Sequence, residues 1–431
     1  MHITQFRMTN IGRFKLLEVP LWSAENPSHV RVFVGNNGSG KTSMLKSLAT
    51  ALSWYVARLR SESGMGNPIP EQVIKNGSSY AAIELAVSEG FGQEHNPDAD
   101  PEKALYHWTL VKSKTGKKTE KSTHLTGATE LAKAYRLALT HDEQTALPLV
   151  AFYPVERVVL DIPLKIKEKH SFSQVDGYDN SLTQGVDFRR FFEWFRERED
   201  AENEQGIPDS VFEQLALLSS KDNQLWQELK KLQASSRDRQ LTAVRSAIQT
   251  FMPEFSHLRV KRKPRLHMAI DKAGETLNVA QLSQGEKSLM ALVGDIARRL
   301  AMMNPALENP LQGSGIVLID EVDMHLHPTW QKSIVQRLRH TFPNVQFILT
   351  THSSLVLSQL QTGEAYRIGC DAKGMGCLEP IENPNKAALV DMLKDVFDVD
   401  LNAMKRAQMS GIEQKQAKAD LLALIREVSA A

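Results

Sequence analysis

Gly35-Asn36-Asn37-Gly38-Ser39-Gly40-Lys41-Thr42 is the stretch from which the architecture can be worked out. Its spacing is G-x-x-x-x-G-K-[ST]. Glycines at these places let consecutive backbone N–H groups curl around phosphate oxygens with no Cβ in the way. Upstream, Val30-Arg31-Val32-Phe33-Val34 is a short β-branched, apolar run that suits a buried strand. Downstream, Leu45, Leu48, Leu52, Val56 and Leu59 recur at three and four positions, one face of a helix. Strand, loop and helix in that order aim a helix N-terminus, with its partial positive charge, at an anion. Asn36, Asn37, Gly38, Ser39, Gly40 and Ser43 then form the cradle. Lys41 reaches the β- and γ-phosphates, and the Thr42 hydroxyl is offered to Mg2+.

Three later stretches carry matching chemistry. Leu282-Ser283-Gln284-Gly285-Glu286-Lys287-Ser288 precedes Leu289, Leu292, Val293, Ile296 and Leu300, so a serine–glycine turn opens another helix. Gly315-Ile316-Val317-Leu318-Ile319-Asp320-Glu321 is an apolar run, suited to a central parallel strand, that ends in two carboxylates. Asp320 is placed to hold Mg2+ and Glu321 to polarise a water. Alternation along a strand sends these two side chains opposite ways. His325 and His327 follow, a pair without further zinc ligands nearby. Phe347-Ile348-Leu349-Thr350 is a strand that delivers Thr351-His352-Ser353.

These four motifs, in this order, resemble those of ABC-type ATPases. Residues 282–288 are similar to the signature motif, usually LSGGQ or LSGGE, with Gln284 in place of the first glycine. Residues 316–321 resemble a Walker B strand, and His352 resembles the switch histidine that hydrogen-bonds the γ-phosphate. The resemblance covers residues 1–21, 29–60 and 257–369. It implies an α/β fold: an ABC-type P-loop ATPase head with a mixed sheet, an inserted helical subdomain and a short helical C-terminal tail. It also implies ATP and Mg2+ as cofactors, Lys41, Glu321 and His352 as catalytic residues, and Thr42 and Asp320 as metal ligands. ATP would lie between Lys41 of one subunit and Ser283, Gly285 and Glu286 of another, which demands a head-to-tail homo-oligomer. No Q-loop glutamine is placed.

Composition bounds the partners. Lys and Arg total 52 against 51 Asp and Glu. No global field therefore selects nucleic acid or an anionic membrane, and any electrostatic binding must come from local patches. Cys370 and Cys377 alone make no disulfide framework and suit a reducing cytosol. The alternating start, Met1 to Phe6, reads as a strand rather than a signal peptide. No apolar run approaches membrane-spanning length. A cytoplasmic location with no membrane partner is the expectation.

The division expected along the chain is an N-terminal part of the head over 1–180, a helical insertion over 181–255, the second part of the head over 256–380, and a tail over 381–431. Residues 1–21 read as a hairpin whose turn sets Arg13 or Phe14 beside the base or ribose, or simply as a hairpin. Phe188, Phe191, Phe192 and Phe195 mark an amphipathic helix in the insertion. Lys112, Lys114, Lys117, Lys118 and Lys121 surround Gly116. They form either a solvated hairpin tip or a nucleic-acid contact. Arg259, Lys261, Arg262, Lys263 and Arg265 leave the same two readings open. In the tail, Leu421, Leu424, Ile425 and Val428 suit a helix that packs at home or docks a partner.

The long separation of Lys41 and Ser283 resembles the RecF/Rad50/SMC branch rather than transporter subunits. Two segments, VIKNGSSYAAIELAV (73–87) and DFRRFFEWFREREDAEN (187–203), are similar to the Septu ATPases of bacterial anti-phage systems, including retron-linked ones. That resemblance implies a separate HNH nuclease partner, with nucleic acid contacted through the complex. Asp391, Asp395, Asp398 and Asp400 read as ordinary helix and loop charges, so the chain is expected to cut nothing itself. A RecF-like DNA-repair clamp is the alternative, with a transporter ATPase subunit behind it.

Overall fold

The structure, a computed structural model, describes residues 1–23, 25–89, 105–155, 172–183, 186–205, 237–386 and 396. The proposed docking positions Leu421 to Val428 and the tail aspartates from Asp391 to Asp400 lie outside the described residues.

The chain opens with β1 (His2–Ile11), β2 (Phe14–Pro20) and β3 (Val30–Val34), then α1 (Lys41–Arg60). Next come β4 (Tyr80–Ser88), β5 (Leu105–Ser113), α2 (Thr126–His141) and β6 (Leu149–Tyr153). Helices α3 (Phe188–Gln205) and α4 (Arg239–Phe251) precede β7 (Phe255–Lys261), β8 (His267–Lys272) and β9 (Glu275–Asn278). Then follow α5 (Gln284–Met303), β10 (Gly315–Ile319), α6 (Ile334–Thr341), β11 (Val345–Thr350), β12 (Ala365–Cys370) and β13 (Gly376–Pro380).

Three sheets result. The central one has the order β13-β12-β3-β11-β10-β6. All its neighbours run parallel except β13, which is antiparallel to β12. Every residue of β3, β6, β10 and β11 is buried. That is why these strands read as unbroken apolar runs: a parallel sheet is covered on both faces. The glycine loop leaves β3, Asp320 leaves β10 and Thr351 leaves β11, so parallel alignment brings all three to one edge. Crevices outside the carboxyl ends of such strands are where open α/β sheets take ligands. The chain after β6, beginning with Pro154, leaves from the same edge.

The second sheet, β2-β1-β4-β5, is antiparallel. Its strand β1 alternates as the sequence suggested, burying Ile3, Phe6, Met8 and Ile11. Two contacts fasten this sheet to the rest. The Trp108 indole N–H donates to the Ala51 carbonyl of α1 at 3.0 Å. The buried Gln346 amide of β11 accepts from Ile3 N–H at 2.7 Å and donates to Ile3 O at 3.0 Å. Pairing a backbone amide in this way avoids the cost of an unmatched buried donor.

The third sheet, β7-β8-β9, leads into α5. Around α5 pack α3 and α4. At Gly294 an added Cβ would come within 2.9 Å of the Phe191 ring and 3.6 Å of Ile248, so glycine permits the close approach of α3 and α4. The phenylalanines of α3 belong to the same contiguous core as the strands of the head. Helices α3 and α4 are therefore packed onto the helix that follows residue 283.

Candidate nucleotide site

The loop itself is shaped as its residue types require. Gly38 and Gly40 hold φ of 76° and 104°, the left-handed region that glycine enters without penalty. At Gly40 a Cβ would run into the ring of Phe14. At Gly35 it would lie 2.8 Å from both the Ile368 carbonyl and the Ser39 hydroxyl. Lys41, buried at the first turn of α1, folds back over the loop and donates to Gly35 O at 2.7 Å and Asn36 O at 3.3 Å. Burial pulls its ammonium below the usual lysine value, while Asp320, Glu321 and Asp323 pull it back up. The lysine of α1 and the acids after β10 thus share one electrostatic environment. Asn36, Asn37 and Gly38 are exposed, and Thr42 and Ser43 are partly so.

The β1–β2 turn lies against this loop. Arg13 donates from its guanidinium to Gly38 O at 2.8 Å, and Gly12 approaches the Ser43 hydroxyl. Phe14, named with Arg13 as a base or ribose contact, is fully buried beneath Gly40 and forms the floor of the loop. Only Arg13 of the two remains exposed.

Asp320 is fully buried. The Thr350 hydroxyl donates to its carboxylate at 2.5 Å, and its own N–H donates to Tyr153 O at 2.9 Å. Glu321 N–H donates to the Thr350 hydroxyl at 2.8 Å. The strand alternation expected above does not extend to this pair. Strand β10 ends at Ile319, and Glu321 stands at φ 46°, a left-handed conformation rare outside glycine. Such strain clusters where geometry serves function. A buried carboxylate near a hydroxyl-headed helix start fits a hard, oxygen-seeking cation.

His352 is half-buried, and burial first and then Lys41 push its imidazole below the usual value, against the opposing pull of Glu321, Asp323 and Asp320. Asp323 was absent from the sequence-based site. Its carboxylate takes the Thr351 hydroxyl and, at 3.4 Å, the His352 N–H. Thr350 and Asp323 are thus the clamps that tie the β10 and β11 loops together. The sequence carried one signal for Asp323, its place just after the paired carboxylates, and none for Thr350.

The Ser283 turn is built as a capping box. Ser283 N–H donates to the Glu286 carboxylate at 2.8 Å, and Glu286 N–H to the Ser283 hydroxyl at 3.4 Å. Lys272 adds an ion pair to Glu286 at 2.5 Å. Burial raises the Glu286 pKa, but the Lys272 and Ser283 bonds outweigh it and hold the carboxylate ionised. Glu286 is therefore engaged within its own chain, whereas Ser283 is exposed. At Gly285 a Cβ would strike the His325 carbonyl, so the turn and the segment after Glu321 touch. His327 caps a one-turn helix through Thr329 N–H. Among the described residues no three His, Cys, Asp or Glu side chains gather into a metal cluster, and the two cysteines are free. Among the described residues no helix is long and apolar enough to cross a membrane.

A glycine cradle, a metal-suited aspartate, an adjacent glutamate and a histidine on the carboxyl edge of one parallel sheet define a P-loop ATPase head of the ABC type. A family model described as AAA domain, putative AbiEii toxin, Type IV TA system matches residues 30–358, and the chain belongs to that family. It is 32% identical over 413 residues to the Retron Vc95 probable ATPase of Vibrio cholerae serotype O1 biovar El Tor, covering 88% of this chain and 78% of the relative. Over 83 residues it is 47% identical to the Septu protein PtuA of Bacillus mycoides (strain KBAB4), which covers 19% of this chain and 11% of that one. Among solved structures it is similar to an Smc head domain with an extended coiled coil from Pyrococcus furiosus. There the identity is 14%, covering 91% of this chain and 100% of that one, and the TM-score is 0.48. The ATPases of retron and Septu systems are its kin.

Proposed function

We propose that the chain is the nucleotide-switched subunit of an anti-phage defence complex. Two copies close head to tail over Mg2+ and ATP, and closure controls a separate HNH-type nuclease. In this reading residues 36–43 cradle the phosphates, with Lys41 on the β- and γ-phosphates. Thr42 and Asp320 hold Mg2+, which neutralises phosphate charge. Glu321 orients the attacking water, His352 meets the γ-phosphate, and Arg13 lies beside the nucleotide. Ser283 and Gly285 of a second copy complete the site, and Glu286 keeps their turn in shape.

The observation that carries the proposal is a pairing of opposites. Lys41, Asp320, Glu321 and His352 share one sheet edge, while Ser283 stands exposed at the start of another helix. Each is half of an anion site. The nuclease partner rests on the resemblance to Septu ATPases.

The test is Glu321→Gln examined by light scattering with and without ATP. The expected result is an ATP-dependent rise in mass that persists because hydrolysis is blocked, and its loss in Lys41→Ala. Bound ATP with unchanged mass would overturn the dimer. Copurification of the operon's nuclease with the unaltered chain tests the partner, and recovery of a membrane permease in its place would move the chain to transport.

A further inference from the structure

We infer that Lys75 is a positioning residue for nucleotide binding: it holds the backbone carbonyl from which Arg13 is aimed at the glycine loop. The inference rests on the nucleotide reading above. The carbonyl belongs to the peptide that joins Arg13 to Phe14. On one side of it the Arg13 guanidinium donates to Gly38 O at 2.8 Å. On the other the Phe14 ring is buried beneath Gly40 and fixes that end by its own packing. The carbonyl between them accepts from Lys75 Nζ at 2.6 Å. A hydrogen bond from a charged donor is shorter than one between neutral groups and about twice as strong. With Phe14 anchored by burial, Lys75 is the hold on the arginine side of the peptide.

Lys75 is in turn held by the fold. Its own N–H donates to Asn10 O at 2.9 Å, and Gly12 N–H donates to Val73 O at 2.8 Å. Ile11 and the buried Ile74 form an antiparallel bridge between these two bonds. Residues 73–75 therefore run alongside the β1–β2 turn. Further back, Glu71 accepts from Thr115 N–H at 3.1 Å and from its hydroxyl at 2.7 Å, which ties the segment to the hairpin after β5. The β12–β13 turn closes over the contact. At Gly374 a Cβ would lie 3.3 Å from Lys75 Nζ and 3.4 Å from Arg13 O, and Gly374 O accepts from Lys15 N–H at 2.6 Å.

Arg13 is exposed, whereas Lys75 is half-buried. An exposed arginine gives up rotamer freedom when it settles on one partner. A turn already fixed before nucleotide arrives lowers that cost, and preorganisation of this kind is read out as affinity. Lys15 separates position from mere charge. It is exposed on the same turn, but its bond to Gly374 runs through the backbone.

The test is binding of ATP with Mg2+ to the full chain by isothermal titration calorimetry, with melting temperatures recorded beside it. Lys75→Met is expected to raise Kd about 10-fold, the worth of one hydrogen bond to a charged group. Lys75→Ala repeats the measurement with a shorter side chain. Lys75→Arg keeps a charged donor and should hold Kd within about twofold. Lys15→Met removes the same charge nearby and leaves Kd in place. Because Lys75 acts through Arg13, R13A/K75M should bind no more than about twofold more weakly than R13A alone. A purely structural lysine would instead add its whole loss to that of R13A. Four results would overturn the inference while ATP binding by the unaltered chain stands: an unchanged Kd in Lys75→Met, an unchanged Kd in Arg13→Ala, an equal loss in Lys15→Met, or full additivity in the double variant. Failure of the unaltered chain to bind ATP would overturn the nucleotide reading itself, and this inference with it.

Discussion

Single residues set the tolerances of the loop. Gly40 combines a φ of 104° with a Phe14 ring where a Cβ would sit. Gly40→Ala must relieve both, at a combined cost of about 3 kcal/mol. A lowered melting temperature together with lost nucleotide binding is expected; wild-type behaviour in both assays would contradict it. His352 supplies a second check. Lys41 is one of the two influences that lower its pKa, after burial. In nucleotide-free protein the imidazole therefore titrates below its ordinary midpoint, and Lys41→Ala moves that midpoint upward. A histidine-resolved NMR titration reads the change directly.

At the scale of elements, α5 is tied to β6 by a buried charge cluster. Asp295 accepts from Arg298 at 2.7 Å, Arg299 at 2.7 Å and the Tyr153 hydroxyl at 3.0 Å, all essentially inaccessible to water. Arg299 also donates to Gly177 O at 2.5 Å and Asp179 O at 3.0 Å. Burial raises the Asp295 pKa, yet the two arginines more than offset it and keep the carboxylate charged. Removing that charge strands two buried guanidinium groups. Asp295→Ala should therefore cost about 3–5 kcal/mol in denaturant unfolding. A loss below 1 kcal/mol would show that water reaches the cluster. Tyr153 connects this cluster to the site, because its carbonyl accepts the Asp320 N–H.

At the scale of the molecule, the proposed site is composite. Lys41→Ala removes one half, and Ser283→Arg blocks the other. Each variant alone should lack ATP-dependent activity. An equimolar mixture should recover roughly a quarter of it, because half the random dimers hold one intact site of two. No recovery on mixing, with both variants folded, would argue that each chain works alone.

The sequence by itself determined the four motifs, their order and the strands that carry them, because those features depend on local rules. Glycine where φ is positive, β-branched runs where both faces are covered and leucines at helical spacing are all legible without neighbours. It also marked Lys112–Lys121 as a charged tip. Tertiary structure decided what depends on partners distant in the chain. Thr350 and Asp323 became clamps because β11 lies between β3 and β10. Phe14 became a floor under Gly40 rather than a ligand contact. Glu286 was drawn into a capping box and an ion pair by Lys272. Of the two basic runs, the fold draws Arg259 and Arg262 into ion pairs with Asp271 and Asp200, and Lys121 into one with Glu84. A carboxylate's role depends on which cation or hydroxyl reaches it within about 3 Å, and that distance is set by the sheet order, not by position along the chain.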